Sequence, residues 1–284
     1  MARKKRRCGR SASAIEKQKD FRSYINPKVG MRLVNTFEEC FEKLRGEEHP
    51  QDKLAALTVS RSVVSLASYQ GRTRVFACTG TIIKRDASTM SILTSASLVR
   101  CSNDENKLAN KLKIKILLPN GKSVEGKLWK YDLHYNIAVV NIKDFPDLCP
   151  AFLYSHIGAG KVVAIGRVFE SGELMTTTGI LRYNNSNLDC QELMISTCKI
   201  TKAGIGGPLI STGGNFIGMN FYVKEGTPFL PGSILLKCLR HLELFGLAGD
   251  QKTCGKHQFH ELILEKAGDT SEQVEAIPLE MVCT

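Results

Sequence analysis

The residue types that could start acyl transfer are present in this chain but scattered. Asp132 and His134 stand two apart in YDLHYN, and a thiol, Cys198, follows 64 residues after the histidine. Nucleophilic catalysis combines these three groups: the carboxylate orients the ring, the ring takes the proton, and the sulfur attacks. The local pattern argues against that use. His134 stands in a polar turn before the apolar run NIAVVNI and reads as a surface-loop residue. Cys198 falls in the strand-like segment ELMISTC and reads as a buried core thiol. His49, His156, His241, His257 and His260 have no Asp or Ser partner at a recognisable motif position. The ten cysteines are spread singly, with no CxxC pair and no clustered Cys/His spacing, so reduced thiols are expected, with no metal and no cofactor.

The elements that must position any site follow from periodicity. Met31, Val34, Phe37, Phe41 and Leu44 recur at three and four residues, which predicts an amphipathic helix ahead of the GEEHP break. From about residue 55 the period drops to two. In KLKIKILLPNGKSVEGKL, Leu112, Ile114 and Ile116 alternate with lysines, PNGK turns the chain, and Val124 resumes the run: a hairpin. The alternating lysines read as the solvated face of an outer strand. Short strands bounded by Gly, Asn, Asp and Pro continue to about residue 235, including VVSLASY, FACTGTIIK, SILTSAS, KVVAIGRV, TTTGILRY, GPLIST and NFIGMNFY. An all-β sandwich or barrel pair is the expectation. A helix over SILLKCLRHLELFG closes this region, and FHELILEKAG carries a further short helical pattern.

Charge divides the chain unevenly. Of a net charge of +11, the first twenty residues hold +6. MARKKRRCGRSASA, with its cluster Lys4, Lys5, Arg6 and Arg7, reads as a disordered arm suited to nuclear targeting or phosphate backbones. No apolar run reaches the length of a membrane span, and no hydrophobic stretch follows the N-terminal charges as in a secretory signal. The expected setting is therefore intracellular, nucleus or cytoplasm, with an organelle as the alternative. The expected organisation is a basic arm over 1–25, a helical extension over 26–54, a β domain over 55–246 and a tail over 247–284. The β domain divides into halves at about 55–150 and 151–246.

Three segments in order carry a family pattern: SILTSASLVR, YDLHYNIAVVNI and KAGIGGPLISTGGNFIGMNF. They resemble the three catalytic stretches of trypsin-like serine proteases, and most closely the HtrA/Deg branch. CTGTIIK, GKVVAIGRV and TTTGILRY resemble further strands of that family, in the right order. The resemblance covers roughly residues 60 to 235 and implies two six-stranded antiparallel β-barrels with a peripheral N-terminal helix. It sets Ser97 at the position of the catalytic histidine, Asn136 at that of the orienting aspartate and Ile205 at that of the nucleophilic serine. Ile205 has no nucleophilic atom, and a serine hydroxyl is no base near neutral pH. Ala203, Gly204, Gly206 and Gly207 fall on the oxyanion turn. Ala203 stands where the family has glycine, so a collapsed oxyanion hole is expected if that turn needs a positive φ.

The resemblance thus implies a protease fold without protease chemistry. The expected function is peptide or protein binding, with Asn215, Phe216, Ile217 and Gly218 on a strand flanking the substrate cleft. Two alternatives stand beside it: a residual or relocated serine-type hydrolase, and a nucleic-acid or nuclear-partner protein acting through the basic arm. No membrane partner is expected. The 38 residues after Gly246 are expected to be too few for the PDZ module that usually follows an HtrA protease domain.

Overall fold

The computed structural model describes residues 50–245, apart from 102, 103, 105, 159, 183–189, 224 and 225. The basic arm with Lys4 to Arg7, the amphipathic stretch from Met31 to Leu44 and the pattern at FHELILEKAG lie outside the described residues. Among those described, no helix is long and apolar enough to cross a membrane.

The chain enters through a helix, α1 (Pro50–Val59). Proline is tolerated in a first helical turn, and Asp52 in that turn complements the helix dipole. Asp52, Ala55, Ala56 and Val59, at helical spacing, form the buried face. The sequence pattern starts the strands at about residue 55, but the helix persists to Val59. Its apolar face has a sheet to rest on, and that tertiary contact outweighs a short ambiguous run. A 3-10 turn over Ser60–Ser62 then leads into the first strand.

Six strands close the first barrel: β1 (Val63–Gln70), β2 (Thr73–Arg85), β3 (Thr89–Ser95), β4 (Leu112–Leu117), β5 (Ser123–Asp132) and β6 (Ile137–Lys143), in the order β1-β2-β3-β6-β5-β4. Six more close the second: β7 (Lys161–Arg167), β8 (Leu174–Arg182), β9 (Met194–Ser196), β10 (Pro208–Ser211), β11 (Phe216–Asn220) and β12 (Thr227–Pro231), in the order β10-β11-β12-β9-β8-β7. A helix, α2 (Gly232–His241), follows. β4 makes the logic of alternation visible: Ile114 and Ile116 are buried while Lys113 and Lys115 are exposed. Leu66, Ile82, Met90, Ile92, Ile116 and Val140 pack the first barrel. Val162, Ala164, Leu209, Ile217 and Phe229 pack the second.

β12 is a strand the sequence pattern does not single out. Its segment, TPFLP, has a proline at either side of its apolar pair, and proline cannot donate to a ladder. It is held nonetheless by pairing with β9 and β11, by the buried ring of Phe229 and by a hydrogen bond from Thr227 Oγ1 to the Cys198 carbonyl.

Three devices bind the barrels together. Helix α1 leads into the first barrel but packs on the second, where Ala55, Ala56 and Val59 meet Val163, Ile165 and Ile210 and Asp52 pairs with Lys161. Arg167, buried on β7, donates from Nε to the Val63 carbonyl (2.8 Å), from Nη1 to that of Gly172 (2.7 Å) and from Nη2 to that of Ser60 (3.0 Å). Its burial lowers the guanidinium pKa from the ordinary arginine value. The third device is Thr79 on β2. Its hydroxyl donates to the Ala203 carbonyl at 2.6 Å and accepts from the Arg167 amide at 2.9 Å. Its own amide donates to the Ile205 carbonyl at 2.9 Å.

Replacing Thr79 with valine keeps the shape and deletes the hydroxyl, leaving a buried carbonyl and a buried amide unpaired. The expected loss of stability is about 2–4 kcal/mol, read by denaturant unfolding, with a clearly smaller loss for Thr79→Ser, which keeps the hydroxyl.

Candidate functional site

The loop between β5 and β6 is built by Asp132. Its carboxylate accepts the amides of His134 (2.8 Å) and Tyr135 (3.1 Å), which folds YDLHYN into a tight turn. The turn ends on Asn136, whose φ of +53° is left-handed, a region that asparagine tolerates better than most residues. The Asn136 carbonyl takes the Ala96 amide at 3.0 Å and so anchors the end of β3. There the strand gives way to a 3-10 turn over Ala96–Leu98, with the Ser95 hydroxyl accepting the Ser97 amide.

These two turns bring Ser97 and Asn136 together. Asn136 Nδ2 donates to Ser97 Oγ at 3.1 Å, and that hydroxyl donates to Asn136 Oδ1 at 3.3 Å. Arg100, one turn further on, donates from Nη2 to the Leu133 carbonyl at 2.6 Å and to Asn136 Oδ1 at 3.4 Å. The carboxamide is therefore held from both sides. A hydroxyl, a carboxamide and a guanidinium form this network, and none of them accepts a proton near neutral pH.

The third segment arrives from the second barrel. Lys202–Gly204 form a 3-10 turn, Gly206 takes a φ of +76°, and a Cβ on Gly206 would lie 2.5 Å from the Thr79 carbonyl. Glycine is required there by both conformation and space. The turn closes on itself: the Gly204 amide donates to Thr201 at 3.0 Å, that of Ile205 to Lys202 at 3.2 Å and that of Gly207 to Gly204 at 3.0 Å. Ala203 keeps an ordinary φ, since the left-handed non-glycine residues among those described are Lys111, Asn136 and Glu243. Its carbonyl is the one that Thr79 engages. The Ile205 side chain is half-buried against the core of the first barrel.

Ser97, Asn136 and Ile205 line one cleft of about 450 Å³, together with Arg100, Leu133, His134, Tyr135, Cys190, Leu193, Phe221, Tyr222, Val223 and Pro228. Three positions spread over 109 residues of sequence thus line the same cleft. The expected cleft strand is placed differently. Phe216, Ile217 and Gly218 are buried in β11, which is paired on one side with β10 and on the other with β12, so it has no free edge; Asn215 lies just before it. The cleft wall is the next stretch, Phe221–Val223, where the chain leaves the barrel and Tyr222 is 38% exposed. The sequence signal for it is the aromatic pair Phe221 and Tyr222 just ahead of the polar break KEG. Arg100 carried no such signal, because only the 3-10 turn folds it back onto Asn136.

Cys198 and His134 do not meet. Cys198 sits two residues beyond β9, inside the second barrel's core, with its Sγ 3.8 Å from the Val162 carbonyl, whereas His134 is exposed on the β5–β6 turn.

The family model of the trypsin-like peptidase domain matches residues 78–219, half of the chain, which belongs to that family. Serine protease HTRA1A of Danio rerio is 35% identical over 128 residues. That match covers 40% of this chain and 26% of the relative, so the chain spans about a quarter of that protein's length.

Burial pushes the Cys78 thiol up to about 12 and the Cys198 thiol up to about 11. Unfolded thiols ionise near their ordinary value, so between about pH 9 and 11 the unfolded state releases protons that the folded state keeps. Both thiols therefore stabilise the fold below pH 9, and that contribution declines as pH rises through the folded values. Stability measured by denaturant should fall over this window, less steeply in Cys198→Ala than in the parent after correction for the baseline loss. Iodoacetamide at pH 8 should leave Cys198 unmodified until the protein unfolds.

Proposed function

We propose that this trypsin-like peptidase domain is a non-catalytic homologue whose cleft binds an extended peptide or protein segment without cutting it. In this reading Ser97, Asn136 and Ile205 occupy the positions of base, orienting acid and nucleophile. The observation that carries it is the engagement of the Ile205 amide by the Lys202 carbonyl. An oxyanion needs preorganised donors aimed at it, and this donor is turned into its own loop. The side chain above it is an alkyl group packed on the first barrel, so nucleophile and electrophilic assistance are absent at one point.

Retention of the cleft supports the binding half of the proposal. Leu133, Tyr135, Leu193, Phe221, Tyr222 and Val223 give it apolar walls, the usual character of a site that takes side chains of a partner. The turn glycines that shape it are in place.

Restoring a hydroxyl by Ile205→Ser is expected to give no peptide hydrolysis above buffer, because Ser97 cannot take the proton and the turn remains closed. Turnover of a casein-derived peptide mixture measures this, and hydrolysis by that single variant would contradict the assignment of Ser97. For binding, an array of extended peptides probed with the intact protein should yield ligands whose affinity falls about tenfold or more in Tyr222→Asp. Unchanged affinity in that variant would place the ligands outside the cleft.

A further inference from the structure

Trp129 is the sole tryptophan of the chain, and the fold holds it in an unusual way. The β5–β6 register steps from Leu128 opposite Val140 to Lys130 opposite Val139, so Trp129 is the extra residue of a β-bulge. Bulges re-aim the side chain they carry. This one leaves the indole 42% exposed, although a large aromatic on a barrel wall is ordinarily covered.

Trp129 lines a cavity of about 860 Å³ at the mouth of the first barrel, away from the residues of the cleft. Its floor is apolar: Val99, Leu108, Leu112, Leu128 and Ile142. Its rim carries Lys111, Lys127 and Lys143, all exposed, and none has a carboxylate partner among the described residues. Glu125 is the one acidic residue of the lining, and it stands opposite Lys115 in the β4–β5 register. An apolar floor, an exposed indole and three unneutralised ammonium groups ask for a ligand with an apolar body and negative flanks.

We infer that this mouth is a second binding site, for a segment of a partner protein in which acidic residues flank bulky apolar side chains. β5 pairs with β4 only from Ser123 to Gly126 and with β6 only from Lys127 to Asp132, so the two ladders part beside the cavity. The segment docks through its side chains: an apolar group enters over Leu128 and Ile142 against the indole, and its carboxylates meet the rim lysines. A polyphosphate strand is the less suited occupant, because the rim lacks arginine forks and carries a glutamate. The inference stands on different residues from the cleft and holds whether or not the cleft binds peptide.

Trp129 provides the readout. The full chain is titrated with acetyl-Glu-Asp-Leu-Phe-Asp-Glu-amide while tryptophan emission is followed. A saturable shift is expected, weakening as salt is raised because exposed charges are screened. Lys127→Glu with Lys143→Glu, checked for an unchanged circular dichroism spectrum, should bind about tenfold or more weakly. Tyr222→Asp, in the other cleft, should titrate like the parent. Should the double variant misfold, the salt series on the parent decides by itself. A flat titration, an equal response to the same peptide with lysines for its acids, or salt-independent binding would overturn the inference. So would tighter binding of an oligothymidylate or of phosphatidylserine vesicles.

Discussion

The hydroxyl of Thr79 is the point on which the arrangement of the two barrels and the shape of the site both depend. One side-chain oxygen, fully buried, accepts the Arg167 amide from the second barrel's wall and donates to the Ala203 carbonyl in the second barrel's turn. The amide of the same residue holds the Ile205 carbonyl, and its carbonyl takes the Thr94 hydroxyl at 2.7 Å. Every polar group of Thr79 is thus engaged, the carbonyl within its own barrel and the hydroxyl and amide across a seam where water has no access. In such a place an unpaired group costs far more than a made bond returns, which fixes the geometry sharply.

That constraint propagates into the turn. With the carbonyls of Ala203 and Ile205 both anchored to β2, the peptide planes between them have little freedom, and the amide of Ile205 faces back to Lys202. Gly206 and Gly207 let the chain pass against the Thr79 and Ile165 carbonyls, where a Cβ would collide with backbone. The glycines of the motif therefore have a packing reason that is independent of catalysis. On the reading proposed here, a loop can keep this shape after its chemistry is gone, because the shape is what joins the barrels.

The parts of the fold legible in the sequence were those written as alternation or as short motifs. Leu112, Ile114 and Ile116 between lysines gave β4, and CTGTIIK, GKVVAIGRV and GPLIST marked strands that now form the seam. What alternation could not express was lost. The proline-bracketed β12 lacks the pattern, and the helix ending at Val59 depends on an apolar surface supplied by residues a hundred positions away. The site is legible in the same uneven manner. Ser97, Asn136 and Ile205, each tied to a motif of its own, line one cleft. The family pattern points to Asn215–Gly218 for the cleft wall, yet a strand rich in apolar residues is more apt to be interior than to face a ligand, and Phe216, Ile217 and Gly218 are buried. Arg100 and the bulge at Trp129 depend on backbone turns that residue types alone do not disclose.

The central claim is that this trypsin-like domain retains a cleft and does not cut what enters it. The most direct measurement incubates the full chain with a proteome-derived peptide library and counts new termini by mass spectrometry. The account predicts the same termini as in buffer, in the parent chain and in Cys198→Ala alike. A reproducible set of new cleavages that disappears in Ser97→Ala or Asn136→Ala would contradict it.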